Sequence, residues 1–164
     1  MIIIAYGANL ESYYGNPVKT FQAVQNLFVD RALNIIAKSD LWDTSPVGTT
    51  EDQPSYTNAV MAIETDLTPH DLLQVLLDIE KGLGRTRSYK NAPRPVDLDL
   101  IDYDGQMIHD DSDLILPHPR MHTRKFVLVP LAQISPDWVH PISKLNVNDL
   151  IAKAPADQHI EVLS

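Results

Sequence analysis

Six regular elements can be read along this chain in the order strand, helix, strand, strand, helix, strand. That order predicts an α+β fold of the ferredoxin-like βαββαβ class, an antiparallel four-stranded sheet with helices on one face and additional helices toward the C-terminus. Three observations carry the prediction. Short β-branched runs bounded by glycine or proline mark the strands. Two stretches open with a capping residue followed by proline and continue with apolar residues at helical spacing. No internal repeat, low-complexity tract or linker interrupts the 164 residues. A chain of this length buries about 70% of its unfolded surface in one core, so a single domain across 1–164 is expected.

The first strand is Ile2–Tyr6, whose unbroken apolar run predicts burial, and Gly7-Ala8-Asn9-Leu10 reads as the turn that ends it. Asn16-Pro17 starts the first helix, with Val18, Phe21, Val24 and Phe28 on one stripe and a stop near Asp30. Between Asn34 and Thr44, Ile35, Ile36 and Trp42 suit a strand better than a helix. The polar, Pro/Gly-punctuated stretch Ser45–Pro54 is a long loop, and Tyr56–Thr65 returns to strand character, antiparallel to the segment before it. Thr68-Pro69 caps the second helix, Leu72, Leu76, Ile79 and Leu83 form its stripe, and Gly82 and Gly84 end it. A basic loop, Arg85–Arg94, precedes the last strand, which runs to Tyr103 before the turn Asp104-Gly105. Leu114–Pro119 reads as a loop, and Phe126–Ile134 as a helix beginning near Thr123; no chemistry is assigned to Trp138–Ser164.

Composition narrows the function. At 44% hydrophobic and 21% charged residues this is an ordinary globular chain, and a net charge of −9 argues against nucleic acid as a partner. Seven of the 13 Lys and Arg nevertheless fall in Arg85–Arg94 and Arg120–Lys125, a local concentration suited to an anion. With no Cys and an apolar start that stops at Gly7 without a basic flank, the chain is expected to be cytoplasmic, with neither signal peptide nor membrane span.

The sharpest feature lies in the last strand. Side chains alternate along a strand, so Val96, Leu98 and Leu100 face one way and Asp97 and Asp99 the other, with Cα atoms about 7 Å apart. Two like charges on one face repel unless a cation lies between them, and with no Cys available Mg²⁺ suits the pair better than Zn²⁺. A solvated acidic edge has the same pattern. The residue pattern alone also fits a metal-dependent phosphoryl or nucleotidyl transferase, or a non-catalytic ligand-sensing module.

Pro93-Arg94-Pro95-Val96-Asp97-Leu98-Asp99, followed by Leu116-Pro117-His118-Pro119-Arg120-Met121 and Arg124-Lys125-Phe126, resembles the 6-hydroxymethyl-7,8-dihydropterin pyrophosphokinase family of folate biosynthesis. Ala5-Tyr6-Gly7-Ala8-Asn9-Leu10, Thr44-Ser45-Pro46-Val47-Gly48 and Asp52–Ala59 extend the resemblance from residue 2 to about 137. It implies transfer of pyrophosphate from ATP to a reduced pterin, by a monomer that binds these small molecules and neither nucleic acid nor membrane. It further implies that Arg85, Arg94, Asp97 and Asp99 form the catalytic centre and that the two aspartates hold two Mg²⁺ ions. Glu80, Arg85, Arg94, His118 and Arg124 are implied at ATP. Thr44, Pro46, Gly48 and Asn58 are implied at the pterin edge, with Tyr56 and Phe126 stacking on its faces. For Glu80, exposure on the helix surface is the alternative, and for His122 surface exposure is expected.

Overall fold

The computed structural model describes residues 1–46, 52–84, 95–110 and 113–163. Strand β1 (Ile2–Ala8) leads to helix α1 (Pro17–Asp30), then β2 (Asn34–Lys38), β3 (Trp42–Thr44), β4 (Tyr56–Glu64), helix α2 (Pro69–Gly82) and β5 (Asp97–Tyr103). After these come a short hairpin, β6 (Ile108–His109) and β7 (Ile115–Leu116), helices α3 (Lys125–Ile134) and α4 (Val147–Lys153), and a last strand, β8 (Ile160–Val162). Both expected helix starts are capped. The side chains of Asn16 and Thr68 accept from the backbone N–H of Lys19 and Asp71, and proline occupies the first helical turn. Each cap contributes about 1 kcal/mol.

The main sheet has the order β5-β1-β4-β3-β8, with β2 also pairing β4, and its pairings are antiparallel. Segments β2 and β3 act as one interrupted strand, so the first four positions follow the ferredoxin-like order predicted from the sequence. The interruption falls at Ser39, whose N–H donates to the Val60 carbonyl while its hydroxyl accepts from the Val60 N–H, both at 2.9 Å. A side chain thus replaces a missing backbone partner. Gly7 and Ala8 do not turn away: they stay in β1, opposite Asn58 and Thr57. The β6–β7 hairpin stands where part of a loop was expected, and β8 adds a fifth position to the sheet beside β3.

Helices cover both faces of the sheet, not one. Ile2, Ile4 and Tyr6 pack with Ala59, Met61 and Ile63 against α1 and α2, through Phe21, Val24, Phe28, Leu72, Leu76 and Ile79. The alternate residues Ile3, Ala5, Val60 and Ala62 face α3 and α4, through Val127, Leu128, Leu131, Val147 and Leu150. Phe28 and Leu72, both fully buried, each contribute about 1.5–3 kcal/mol by leaving water.

The C-terminal segment is joined to β5 through Asp102. This carboxylate is buried, and its two oxygens accept from the Gly105 N–H and the Trp138 indole N–H, both at 3.0 Å. A hydrogen bond to a charged acceptor contributes about 1.5–3 kcal/mol, and an orphaned buried donor costs about as much. Replacing Asp102 by alanine is therefore expected to destabilise the protein by about 3 kcal/mol in urea unfolding. A loss below about 0.5 kcal/mol, the level of a neutral surface change, would mean that neither bond matters.

Candidate active site

Cross-strand pairing assembles the site before any side-chain contact does. Asp97 of β5 lies opposite Gly7 of β1, Gly7 opposite Asn58 of β4, and Asn58 opposite Trp42 of β3. Two residues along, Thr44 lies opposite Tyr56. Directly opposed residues project to the same face, so Asp97, Asp99, Asn58, Tyr56 and Thr44 share the face that α3 and α4 cover. Helix α3 covers that face over Val60 and Ala62. The candidate residues occupy the end of the same face beyond it, beside the N-terminal turn of α3 that carries Phe126.

At the β4 side the polar groups are buried and satisfied. Asn58 is 5% exposed; its carbonyl oxygen accepts from the Thr44 hydroxyl at 2.5 Å, and its amide donates to the Tyr6 carbonyl at 3.2 Å. That arrangement needs a glycine next door. A Cβ on Gly7 would sit 2.7 Å from the Asn58 amide nitrogen, inside any tolerable contact. The amide of Asn58 thus leans over β1 into the place a Gly7 side chain would take, with the Tyr56 ring edge beside it at 3.9 Å. Asn9, also buried, donates to the Gln53 side chain and the Pro54 carbonyl, tying the end of β1 to the chain entering β4.

At the β5 side Asp97 and Asp99 are half-buried, alternating with buried Leu98 and Leu100 as the sequence predicts. Two carboxylates on one face, with oxygen donors alone, fit a hard divalent cation. His118 is close enough to feel Asp97, yet burial, reinforced by the Arg124 and Arg120 guanidiniums, pushes its pKa down to about 4 against the attraction of Asp97. Its Nδ1 accepts from the Arg120 N–H at 3.2 Å, which leaves Nε2–H as a donor on a neutral ring. The Arg124 guanidinium carbon lies 5.4 Å from the centre of the Phe126 ring, a cation–π contact that sets a fixed positive charge against an aromatic face.

The structure thus brings together Asp97, Asp99, Asn58, Thr44 and Tyr56 on one face, and places His118 within the field of Asp97 and Arg124. Pro46 is half-buried directly after β3, and His122 is exposed as expected. Glu80 is not on the helix surface: it is 4% exposed and its Oε2 accepts from the Leu98 N–H at 2.7 Å. Gly48, Arg85 and Arg94 lie outside the described residues. Gly7 and Asn9 escaped the assignment of roles from sequence, although both sit in a quoted motif; a glycine after an apolar run looks like a turn until its cross-strand neighbour is known. A further ligand-type group, Asp43, His159 and Glu161, stands where β3 meets β8, with His159 Nε2 3.4 Å from Glu161 and 4.0 Å from Asp43. Asp43 alternates with Trp42 and Thr44, so it lies on the other face of the sheet.

Residues 3–136 match the family described as 7,8-dihydro-6-hydroxymethylpterin-pyrophosphokinase (HPPK). The chain is 44% identical over 131 residues to the 2-amino-4-hydroxy-6-hydroxymethyldihydropteridine pyrophosphokinase of Methylorubrum extorquens, covering 80% of each chain. It is 40% identical over 134 residues to the protein of the same name from Bacillus subtilis, covering 80% of this chain and 75% of that one. The folic acid synthesis protein FOL1 of Dictyostelium discoideum is 35% identical over 155 residues, which are 94% of this chain but only 22% of that longer protein. The fold is similar to that in the crystal structure of Plasmodium falciparum HPPK-DHPS with pteroate, with a TM-score of 0.72 at 14% identity, over 93% of this chain and 42% of that one.

The state of His118 can be tested directly. Its ordinary pKa is 6.5 and its folded value about 4, so between these pH values the unfolded chain binds a proton that the folded chain refuses. The stability contributed by the neutral ring is complete above pH 6.5 and is lost as pH falls from 6.5 through 4. In an NMR titration of the ligand-free protein the His118 ring is expected to titrate near pH 4, with Nε2 protonated above that point. A midpoint near 6.5 would show that the ring is neither desolvated nor opposed by the arginines.

Proposed function

Because the chain belongs to the 7,8-dihydro-6-hydroxymethylpterin-pyrophosphokinase family, we propose that it transfers the pyrophosphoryl group of ATP to the 6-hydroxymethyl oxygen of 7,8-dihydropterin in folate synthesis. The acceptor oxygen attacks the β-phosphorus, the bond from the bridging oxygen to that phosphorus breaks, and AMP leaves with the bridging oxygen. The hydroxyl proton passes to solvent. Transfer of this kind needs alignment and charge neutralisation more than covalent help from the protein.

What supports this reading is that the carboxylate pair and the buried amide lie on one face, at the end beyond the residues that α3 covers, with only Gly7 of β1 between them in the register. In the proposal the pterin lies against the Asn58 amide, which Gly7 lets settle over β1. Asn58 and the backbone of Thr44, Pro46 and Gly48 read its donor and acceptor edge, and Tyr56 and Phe126 stack on its faces at about 0.5–1.5 kcal/mol beyond their buried area. Arg124 and the neutral His118 Nε2–H hold phosphate oxygens, Arg124 with a fixed positive charge and His118 as a donor without one. Arg85 and Arg94 are proposed to do the same on the strength of their sequence motif alone. Asp97 and Asp99 would hold Mg²⁺, which supplies charge neutralisation on the polyphosphate. Two Mg²⁺ ions, one catalytic domain over the whole chain, a monomer and a cytoplasmic setting complete the proposal. Among the described residues no helix is long and apolar enough to cross a membrane.

Purified protein with ATP, Mg²⁺ and 6-hydroxymethyl-7,8-dihydropterin is expected to yield AMP and the pterin diphosphate in equal amounts, and EDTA is expected to stop both. Asp97→Ala and Asp99→Ala should each lower turnover more than about 100-fold without unfolding the chain. ADP as the product, or near-normal rates in either variant at limiting Mg²⁺, would overturn the assignment.

A separate expectation concerns Gly7. Because a Cβ there collides with the Asn58 amide, Gly7→Ala should raise KM for the pterin about 10-fold or more and leave KM for ATP within about twofold. Equal effects on both substrates would remove Gly7 from the pterin slot.

A further inference from the structure

Glu80 occupies a position that the pattern of α2 reserves for an apolar side chain. It follows Leu72 and Leu76 at successive four-residue steps, beside Ile79, and like them it is buried, at 4% exposure. A carboxylate pays heavily for leaving water unless hydrogen bonds replace its hydration. One such bond comes from the Leu98 N–H, 2.7 Å from Oε2.

Leu98 lies between Asp97 and Asp99 in the strand at the edge of the main sheet, β5, which among the described strands pairs there with β1 alone. Edge strands carry backbone groups that no neighbouring strand can satisfy, and Glu80 takes one of them. The Leu98 side chain is itself 4% exposed in the core against α1 and α2. Backbone and side chain of this one residue are thus held together, and the two peptide units flanking it set the directions in which Asp97 and Asp99 leave the strand.

Glu80 reaches β5 from the α2 layer, whereas Asp97 and Asp99 project to the opposite face. We propose that Glu80 is a positioning residue: through the Leu98 backbone it fixes the spacing and aim of the Asp97/Asp99 pair, and so the affinity of that pair for a divalent cation, and it does not bind the nucleotide. The inference rests on the assignment of the two aspartates as cation ligands made above. Groups that orient metal ligands typically change affinity by 10–100-fold when removed.

The test uses the full chain with Glu80→Met, which keeps bulk in an apolar stripe but removes the acceptor, and Glu80→Gln, which keeps an acceptor oxygen. Three quantities are measured: exchange of the Leu98 amide by NMR, Mn²⁺ binding by EPR in the presence of a non-hydrolysable ATP analogue, and binding of metal-free ATP in EDTA. Glu80→Met is expected to speed Leu98 exchange and weaken Mn²⁺ binding by about 10-fold, Glu80→Gln to stay within about twofold of the parent protein, and metal-free ATP binding to be unchanged in both. The proposal is overturned if Glu80→Met leaves Leu98 exchange and Mn²⁺ binding unaltered, or if both variants weaken metal-free ATP binding equally, as loss of a direct nucleotide contact would. Mn²⁺ binding and amide exchange do not depend on turnover, so a chain that proves unable to make the pterin diphosphate would overturn the proposed reaction while leaving the positioning role to be decided by these readouts.

Discussion

Strand β5 must bury Leu98 and Leu100 against α1 and α2 while holding Asp97 and Asp99 on the other face, and simple alternation satisfies both demands for only a few residues. Continued without a break, it would aim the Asp102 carboxylate into the apolar layer and lift Tyr103 out of it. The register shift opposite Ile3 and Ile4 removes the conflict. Ile101 joins the α3/α4 layer, Asp102 meets the Trp138 indole beside it, and Tyr103 returns to the α1/α2 core, where its hydroxyl donates to the Leu67 carbonyl. The carboxylates that face the site and the carboxylate that anchors the C-terminal segment therefore differ by their place relative to one bulge, not by their chemistry.

The same strand explains why the site sits at an end of the sheet. Covering both faces with helices makes the middle of β1 and β4 inaccessible, and every residue of β1 is buried. Only beyond the first turn of α3 can polar side chains on the second face meet a ligand, and there Gly7 cedes the space of a side chain to the Asn58 amide. Burial on both faces is thus what confines the chemistry to one row of cross-strand partners.

Much of this was legible in the sequence wherever a local rule suffices. Asn16-Pro17 and Thr68-Pro69 announce their helices by capping chemistry, and Asp97-Leu98-Asp99 announces its two faces by period. The misses share one cause: each depends on a partner distant in the chain. Gly7 stays in a strand because Asn58, 51 positions later, needs the space of its absent side chain. For Glu80 surface exposure stood as the alternative to a place at ATP, although its four-residue spacing from Leu72 and Leu76 already placed it on the buried stripe; the Leu98 N–H it meets there lies 18 positions away. Strand β8 is three residues long, partly exposed and recognisable only as the partner of β3. The second helical layer could not be assigned to a face until the sheet it covers was in place.

The charge balance carries one further consequence for the proposed reaction. A chain of net charge −9 repels a free polyphosphate at long range, and the carboxylate pair would repel it more strongly at contact. His118 adds no positive charge to offset this, because its ring is neutral at physiological pH. In the proposed reaction a bound cation would reverse the sign at contact: aspartates that repel bare ATP would attract its magnesium complex, while Arg124, placed against Phe126, would draw the phosphates toward the aromatic end of the site. On the proposed reaction, an acidic protein with two carboxylates in its site would thereby favour the metal-loaded nucleotide before any specific contact forms, and a neutral histidine would leave the carboxylates as the groups that set this preference.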